Sequence, residues 1–217
     1  MKKFVAILFS FLLTQSVMSV GPTPEEIVRD ATNEVLKWIN KDREELKSDP
    51  EYLRILIEEL ILPHFDFTTM SQLVLDDHWG QLSEADQACF AKGFRNLLTE
   101  RYADILLSYN NHSITYDPVR PVGEEGYMSV RQTISRDGAK PLPVEYPMRP
   151  DENGWKIVDL IIDEVSLLTS YRKTFNTEIN TIGLDEFIHS FPDCNPVLEQ
   201  EVSLHQTSAG SQTFASL

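Results

Sequence analysis

Between Trp155 and Arg172 the chain changes period once, and that change constrains the fold more than any other feature. Trp155–Ile162 reads Trp-Lys-Ile-Val-Asp-Leu-Ile-Ile, a composition that suits a pleated, buried strand. Turn formers Asp151, Asn153 and Gly154 stand directly before it. Beyond it, Val165, Leu168, Tyr171 and Phe175 recur at helical spacing. The pattern predicts a strand that hands the chain straight to a helix lying across the sheet. Ile157, Val158, Leu160, Ile161 and Ile162 place apolar side chains on both strand faces, with Asp159 the exception. A strand buried on both sides needs apolar partners on both. One partner is the helix layer; what fills the other side is the functional question.

The remaining elements follow from caps and periods. Thr23-Pro24-Glu25-Glu26 carries a capping box with proline at the first helical position, and Ile27, Ala31, Val35 and Trp38 form one stripe of a helix running to about Lys47. Asp49-Pro50 repeats the device for a second helix, which Pro63 stops. A short third helix spans Phe67 to Asp77. Ser83-Glu84-Ala85-Asp86 opens the longest, whose band includes Phe90, Phe94, Leu97, Leu98 and Tyr102. The period then becomes two: His112–Tyr116, Tyr127–Ser135, Val144–Arg149 and Trp155–Ile162 read as four strands, and their short connections favour antiparallel pairing. Met128, Val130 and Ile134 share one face of the second strand, against Ser129, Arg131 and Thr133. A last short helix covers Leu184–Phe191. The expected organisation is a leader over 1–19, a single α+β domain over 20–191 and a polar, mobile tail over 192–217.

The leader is a secretory signal peptide by pattern: basic Met1-Lys2-Lys3, an apolar run from Phe4 to Leu13, and compact residues at Val17-Met18-Ser19. The run is short for a membrane span. Formal net charge is −15, the wrong sign for a nucleic-acid binder. Cys89 and Cys194 are available to pair in an oxidising compartment. The sequence favours free thiols, because Cys89 lies on the apolar face of a predicted helix and Cys194 beside the polar tail.

Catalytic signatures are missing. The sequence contains no G-x-S-x-G, H-E-x-x-H, glycine-rich phosphate loop or zinc spacing. His64-Phe65-Asp66 and Asp76-Asp77-His78 are carboxylate–histidine clusters that read as helix-end caps rather than acid–base pairs or metal ligands. Asp159 and Arg172 suggest a buried, structural ion pair. No cofactor is expected.

Several short motifs occur in a specific order. Asp49-Pro50-Glu51-Tyr52-Leu53 opens the second helix, and Leu62-Pro63-His64-Phe65-Asp66-Phe67 turns into the third. Phe90, Phe94, Leu98, Tyr102 and Tyr109 mark the long helix, and Asp159 through Leu167 is followed by Tyr171-Arg172 and Phe175. In this order and spacing the chain resembles the MlaC-type periplasmic phospholipid-binding proteins, the toluene-tolerance family, from about Thr23 to Phe191. Two positions depart. Glu164 stands where the family pattern has glycine at the strand-to-helix junction, which questions whether the backbone there keeps its course. Asp76 stands near a Leu-Gly step after the third helix.

The resemblance implies a helical N-terminal half packed on a curved antiparallel sheet of about four strands, a cystatin- or NTF2-like roll enclosing an apolar cavity. It also implies a monomeric carrier of glycerophospholipid in the periplasm. Its partners would be an inner-membrane ABC transporter complex and an outer-membrane lipoprotein/porin complex. The apolar faces nominate the cavity wall: Leu56 and Leu60 on the second helix, Met70 and Val74 on the third, Phe94, Leu98 and Tyr102 on the long helix. Val130, Ile134, Tyr146, Met148 and Ile157 would come from the strands, and Leu168 from the helix that follows. Such a carrier needs no covalent chemistry. The competing reading is an NTF2-like enzyme, or a binder of small apolar ligands, with Asp159 as the one strand carboxylate available for acid–base work.

Overall fold

The structure, a computed structural model, describes residues 21–194 apart from 108–112, 124–125, 136–137, 139 and 153. The expected leader and all of the expected tail beyond Cys194 lie outside the described residues.

Helix α1 (Pro24–Ser48) starts at the capping box read from sequence. The Thr23 hydroxyl accepts the Glu26 N–H at 3.3 Å, and the Glu26 carboxylate accepts the Thr23 N–H at 2.7 Å. The helix kinks at Asp42, where φ is −119°. The Asp42 carboxylate accepts the Tyr52 hydroxyl at 3.0 Å from α2 (Pro50–Leu60). Asp49 between them caps α2, taking the N–H groups of Glu51 and Tyr52 at 3.0 and 3.1 Å. The pair buries Val35, Ile39 and Leu46 against Leu53, Leu56 and Ile57.

After a 3₁₀ turn at Leu62–His64, Phe65 makes a parallel bridge to Ile157, and the Asp66 N–H donates to the Ile157 carbonyl at 2.9 Å. This short motif therefore bonds helices to sheet. Asp66 then caps α3 (Phe67–Leu75) through the Thr69 N–H at 2.9 Å, and a 3₁₀ segment, Asp76–Gln81, leads to α4 (Glu84–Leu107).

The sheet is antiparallel throughout. It comprises β1 (Ser113–Tyr116), β2 (Arg120–Pro121), β3 (Met128–Ser135), β4 (Leu142–Asp151), β5 (Gly154–Ile157), β6 (Ile161–Ile162) and β7 (Val165–Ser166). The order is β1-β3-β4-β6-β7, with β2 beside β3 and β5 beside β4. Helices α5 (Leu167–Ile182) and α6 (Leu184–His189) complete an α+β architecture.

Three expectations change. First, Trp155–Ile162 is not one strand. It breaks after Ile157, because the Asp159 carboxylate draws the backbone aside. That carboxylate accepts the Leu160 N–H at 2.8 Å, the Leu168 N–H at 3.1 Å and the Ser166 hydroxyl at 2.6 Å. Val165 consequently belongs to β7, well exposed, and the helix starts at Leu167 with Ser166 as its cap. Second, Asp159 and Arg172 form no direct pair. The Arg172 guanidinium donates instead to the Leu73 carbonyl and stands 3.5 Å from Asp76. Third, Cys89 and Cys194 are joined by a disulfide, with Cα atoms 5.2 Å apart. The sequence places Cys194 in the tail, but Pro192–Cys194 is a 3₁₀ turn docked on α4. Lys92 pairs with Asp193 at 2.9 Å and the Asn96 amide donates to it at 3.0 Å.

The core cluster between α3, α4, α5 and α6 is built around aromatic rings. Phe90 and Phe94 of α4, Tyr171 and Phe175 of α5, Phe187 of α6 and Phe191 beyond it interlock at centroid separations of 5.0 to 6.2 Å. Gly93 permits this: a Cβ there would lie 2.9 Å from the Phe191 ring.

Candidate functional site

Strand β3 pairs with β4 so that Met128 faces Met148, Val130 faces Tyr146, Gln132 faces Val144 and Ile134 faces Leu142. Directly opposed residues in an antiparallel pair share a face, so these pairs form rows across one side of the sheet. The first row runs on to Ile157. The third takes in Tyr116 at one end and Ile162 and Val165 at the other. The last takes in Ile114. This is the inner face, because α1 lies on it: Ile27 and Val28 pack with Val130, Met148 and Ile157.

The rows differ in closure. Val130 and Met148 are completely buried. In the last row Ile114, Ile134 and Leu142 are only half-buried, and at the β7 end of the third row Ile162 is half-buried and Val165 is 58% exposed. Between the ends lies a polar group. Gln132, 4% exposed, donates its amide to the Tyr146 hydroxyl and accepts the Thr32 hydroxyl of α1 at 3.4 Å. Tyr116, opposite Gln132 across the β1–β3 pair, has a buried hydroxyl with no hydrogen-bond partner. Thr32 stands near that hydroxyl without reaching hydrogen-bonding geometry. Burial raises the pKa of both Tyr116 and Tyr146, so both hydroxyls keep their protons.

The outer face answers the question left by the sequence. It carries charge rather than a second apolar layer. Glu145, nearly buried, is clamped by Arg120 at 2.5 Å and Arg131 at 2.9 Å, beside the buried Ser129.

The nominated wall residues divide among three clusters instead of gathering in one. Met70, Val74, Phe94, Leu98 and Leu168, with Tyr102 at the margin, belong to the aromatic cluster between the helices. Leu56 and Leu60 belong to the α1–α2 cluster. Val130, Tyr146, Met148 and Ile157 lie together under α1, and Ile134 occupies the half-open row. Phe65 packs against both the aromatic and the sheet clusters. Gln132 and Tyr116 were not nominated. The signal was present for Gln132, the one polar side chain in register with Met128, Val130 and Ile134.

The carboxylates are engaged in structure. Burial pushes the Asp66 carboxyl up, but bonds from Thr69 and from Arg149, whose Nε donates at 2.6 Å, more than offset this and hold it below its usual range. Burial raises the Asp159 carboxyl, against the opposing bonds from Ser166, Leu168 and Leu160. Among the described residues no three His, Cys, Asp or Glu side chains are grouped to hold a metal ion.

The family model of the MlaC protein matches residues 29–192. The chain belongs to the MlaC family. Among curated relatives, the intermembrane phospholipid transport system binding protein MlaC of Haemophilus influenzae is 24% identical over 185 residues, covering 84% of this chain and 86% of the relative. A toluene tolerance protein of Pseudomonas putida is 24% identical over 165 residues, covering 75% and 76%. A phospholipid-binding protein of Ralstonia solanacearum, solved in complex with a phospholipid, superposes with a TM-score of 0.71 at 25% identity, over 82% of this chain and 99% of that one.

The two departures from the MlaC pattern also have a structural reading. Glu164 has φ 68° and Asp76 φ 52°. Glu164 follows Asp163, φ 48°, in the two-residue turn between Ile162 and Val165. Such a turn requires positive φ at both central residues. The backbone keeps a left-handed course that glycine would take without strain.

Proposed function

We propose that this protein is a monomeric periplasmic carrier of glycerophospholipid. It would travel between an inner-membrane ABC transporter complex and an outer-membrane lipoprotein/porin complex, with acyl chains held against the inner face of the sheet. One observation carries the reading: a fold shared over nearly its whole described length with a protein solved around a phospholipid. The physical demand agrees. Each buried CH₂ is worth about 0.8 kcal/mol, so a two-chain lipid leaves a bilayer only for an equally apolar surface. The half-buried row of Ile114, Ile134 and Leu142, with Ile162 at the end of the row beside it, offers such surface next to a closed core. The Cys89–Cys194 disulfide suits an oxidising compartment, as does the leader pattern at Met1–Ser19. No helix among the described residues is long and apolar enough to cross a membrane.

The carrier acts by binding alone. Asp159, the one strand carboxylate the enzyme reading needs, is spent on two backbone N–H groups and a hydroxyl that hold the start of α5. Release would come from a membrane-bound partner that spreads the inner face, because the head group stays in water.

The test is recovery of the protein from the periplasm, solvent extraction and mass spectrometry of the extract. It is paired with uptake of labelled phospholipid from vesicles. Stoichiometric diacyl lipid is expected. Protein that emerges empty and takes up none from vesicles overturns the reading.

A further inference from the structure

The polar group set into the inner face has an imbalance. The Thr32 hydroxyl donates to the Gln132 carbonyl, and the Gln132 amide donates to the Tyr146 hydroxyl. Two hydrogens are then left over, those of the Tyr146 and Tyr116 hydroxyls, and the Tyr116 hydroxyl has no partner in hydrogen-bonding geometry, Thr32 being its near neighbour. A buried hydroxyl without a partner is costly, so a site that keeps one calls for an explanation. The Tyr146 hydroxyl already accepts from Gln132 and has its hydrogen to give, while the Tyr116 hydroxyl is free both to donate and to accept, so a single acceptor would take both hydrogens.

That acceptor is neutral. The nearest cation is Arg29, whose guanidinium lies over the Tyr116 ring at 4.0 Å and is paired with Glu25 at 2.5 Å. It therefore covers the ring face rather than the hydroxyl. A phosphate brought among Gln132, Thr32 and two neutral tyrosines would be buried without a counter-charge. A carbonyl oxygen fits. The position fits as well, because the group separates the closed Val130–Met148 end of the sheet from the half-open Ile134–Leu142 end. A carbonyl at the head of an acyl chain would meet the hydroxyls while the chain ran along apolar rows.

We infer that Tyr116 and Tyr146, held by Gln132 and Thr32, form a subsite for an acyl-ester carbonyl of the bound lipid. This rests on the phospholipid reading. The subsite selects ester-linked over ether-linked chains, since a dialkyl lipid has the same apolar body but no carbonyl. It leaves head-group choice open.

The experiment offers the folded protein vesicles with equal amounts of diester phosphatidylethanolamine and its dialkyl ether analogue of matched chains, and reads the bound ratio by mass spectrometry. The native protein is expected to favour the diester about fivefold, the discrimination one net hydrogen bond supplies. In Tyr116→Phe the ratio falls toward one. The substitution removes only an unpartnered hydroxyl, and a thermal melt verifies that the fold is intact. A native ratio of one, with lipid bound, overturns the subsite but leaves the carrier reading standing; the hydroxyls then serve water alone. A native preference that persists in Tyr116→Phe likewise overturns the role of Tyr116. Binding of neither lipid overturns the carrier reading itself.

Discussion

The aromatic cluster between α3, α4, α5 and α6 and the inner sheet face beneath α1 are built by opposite rules. In the first, Phe90, Phe94, Phe175 and Phe187 are buried, with Phe175 edge-on to both Phe90 and Phe94, and the Cys89–Cys194 disulfide ties the 3₁₀ turn after α6 to α4. In the second, a closed row at Met148 gives way to tyrosines and a glutamine, then to half-open isoleucine and leucine. The first region is closed by ring packing and a covalent bridge. The second mixes closure, donors and accessible apolar surface, as a surface does when it must accept something. A carrier needs both, since an opening face has to be hinged on a part that does not yield.

The largest effect should come from the solid side. Phe175→Ala removes a ring that touches Phe90, Phe94, Tyr171, Phe187 and Phe191. Truncating such a phenylalanine costs about 3–5 kcal/mol, read as a fall in the urea midpoint. A loss below about 1 kcal/mol would mean that this cluster is as loose as the sheet face, and the contrast would collapse.

Next comes the crosslink. Opening the Cys89–Cys194 bridge, which spans 105 residues, releases the unfolded chain from a long closed loop. Cys89→Ser should cost about 2–4 kcal/mol with denaturant, and a reductant should reproduce the loss in the native protein but not in the variant. Equal midpoints with and without reductant would show that the bridge contributes nothing.

The joint between the regions is Asp66, which caps α3 and takes Arg149 of β4. Its carboxyl is net lowered, so unfolding raises its proton affinity. Its stabilisation is complete above the ordinary carboxylate range and is lost as pH falls through its lowered value in the fold. Asp66→Asn should cost about 2 kcal/mol at pH 6, and less near pH 3. A pH-independent difference between the two proteins would remove the charge from the account.

What sequence conveys differs between the regions for physical reasons. Caps are local, so Thr23, Asp49 and Ser83 were legible, as was the period-two register of β3. The docking of Cys194 depends on Lys92 and Asn96, distant in sequence, which is why the bridge was not expected. The break at Asp159 depends on what its carboxylate reaches, which periodicity does not record. The wall nominations treated every apolar face as one site, whereas tertiary packing splits them among three clusters. At Glu164 the mismatch with the family pattern was visible and its cost is now assignable. Glu164→Gly should raise stability by about 1 kcal/mol, with no change in lipid bound. A loss instead would show that the side chain does more than tolerate φ 68°.

The smallest effect on stability should fall where the effect on lipid is greatest. Ile134 and Val130 lie on the same face of β3, yet Val130 is fully buried under α1 and Ile134 is half-open. A new carboxylate at Ile134 stays hydrated in the empty protein, so Ile134→Asp should change stability by no more than about 1 kcal/mol. When acyl chains cover the row, that carboxylate loses water without gaining a partner, at a cost of several kcal/mol. Lipid retained per protein should fall more than about tenfold. The same change at Val130 has no hydrated state short of unfolding and should lower the melting temperature sharply. Matched melts and lipid extractions of the two variants decide the point. Full lipid retention in Ile134→Asp would place the chains elsewhere, and equal destabilisation by both substitutions would mean that the sheet face is closed along its whole length.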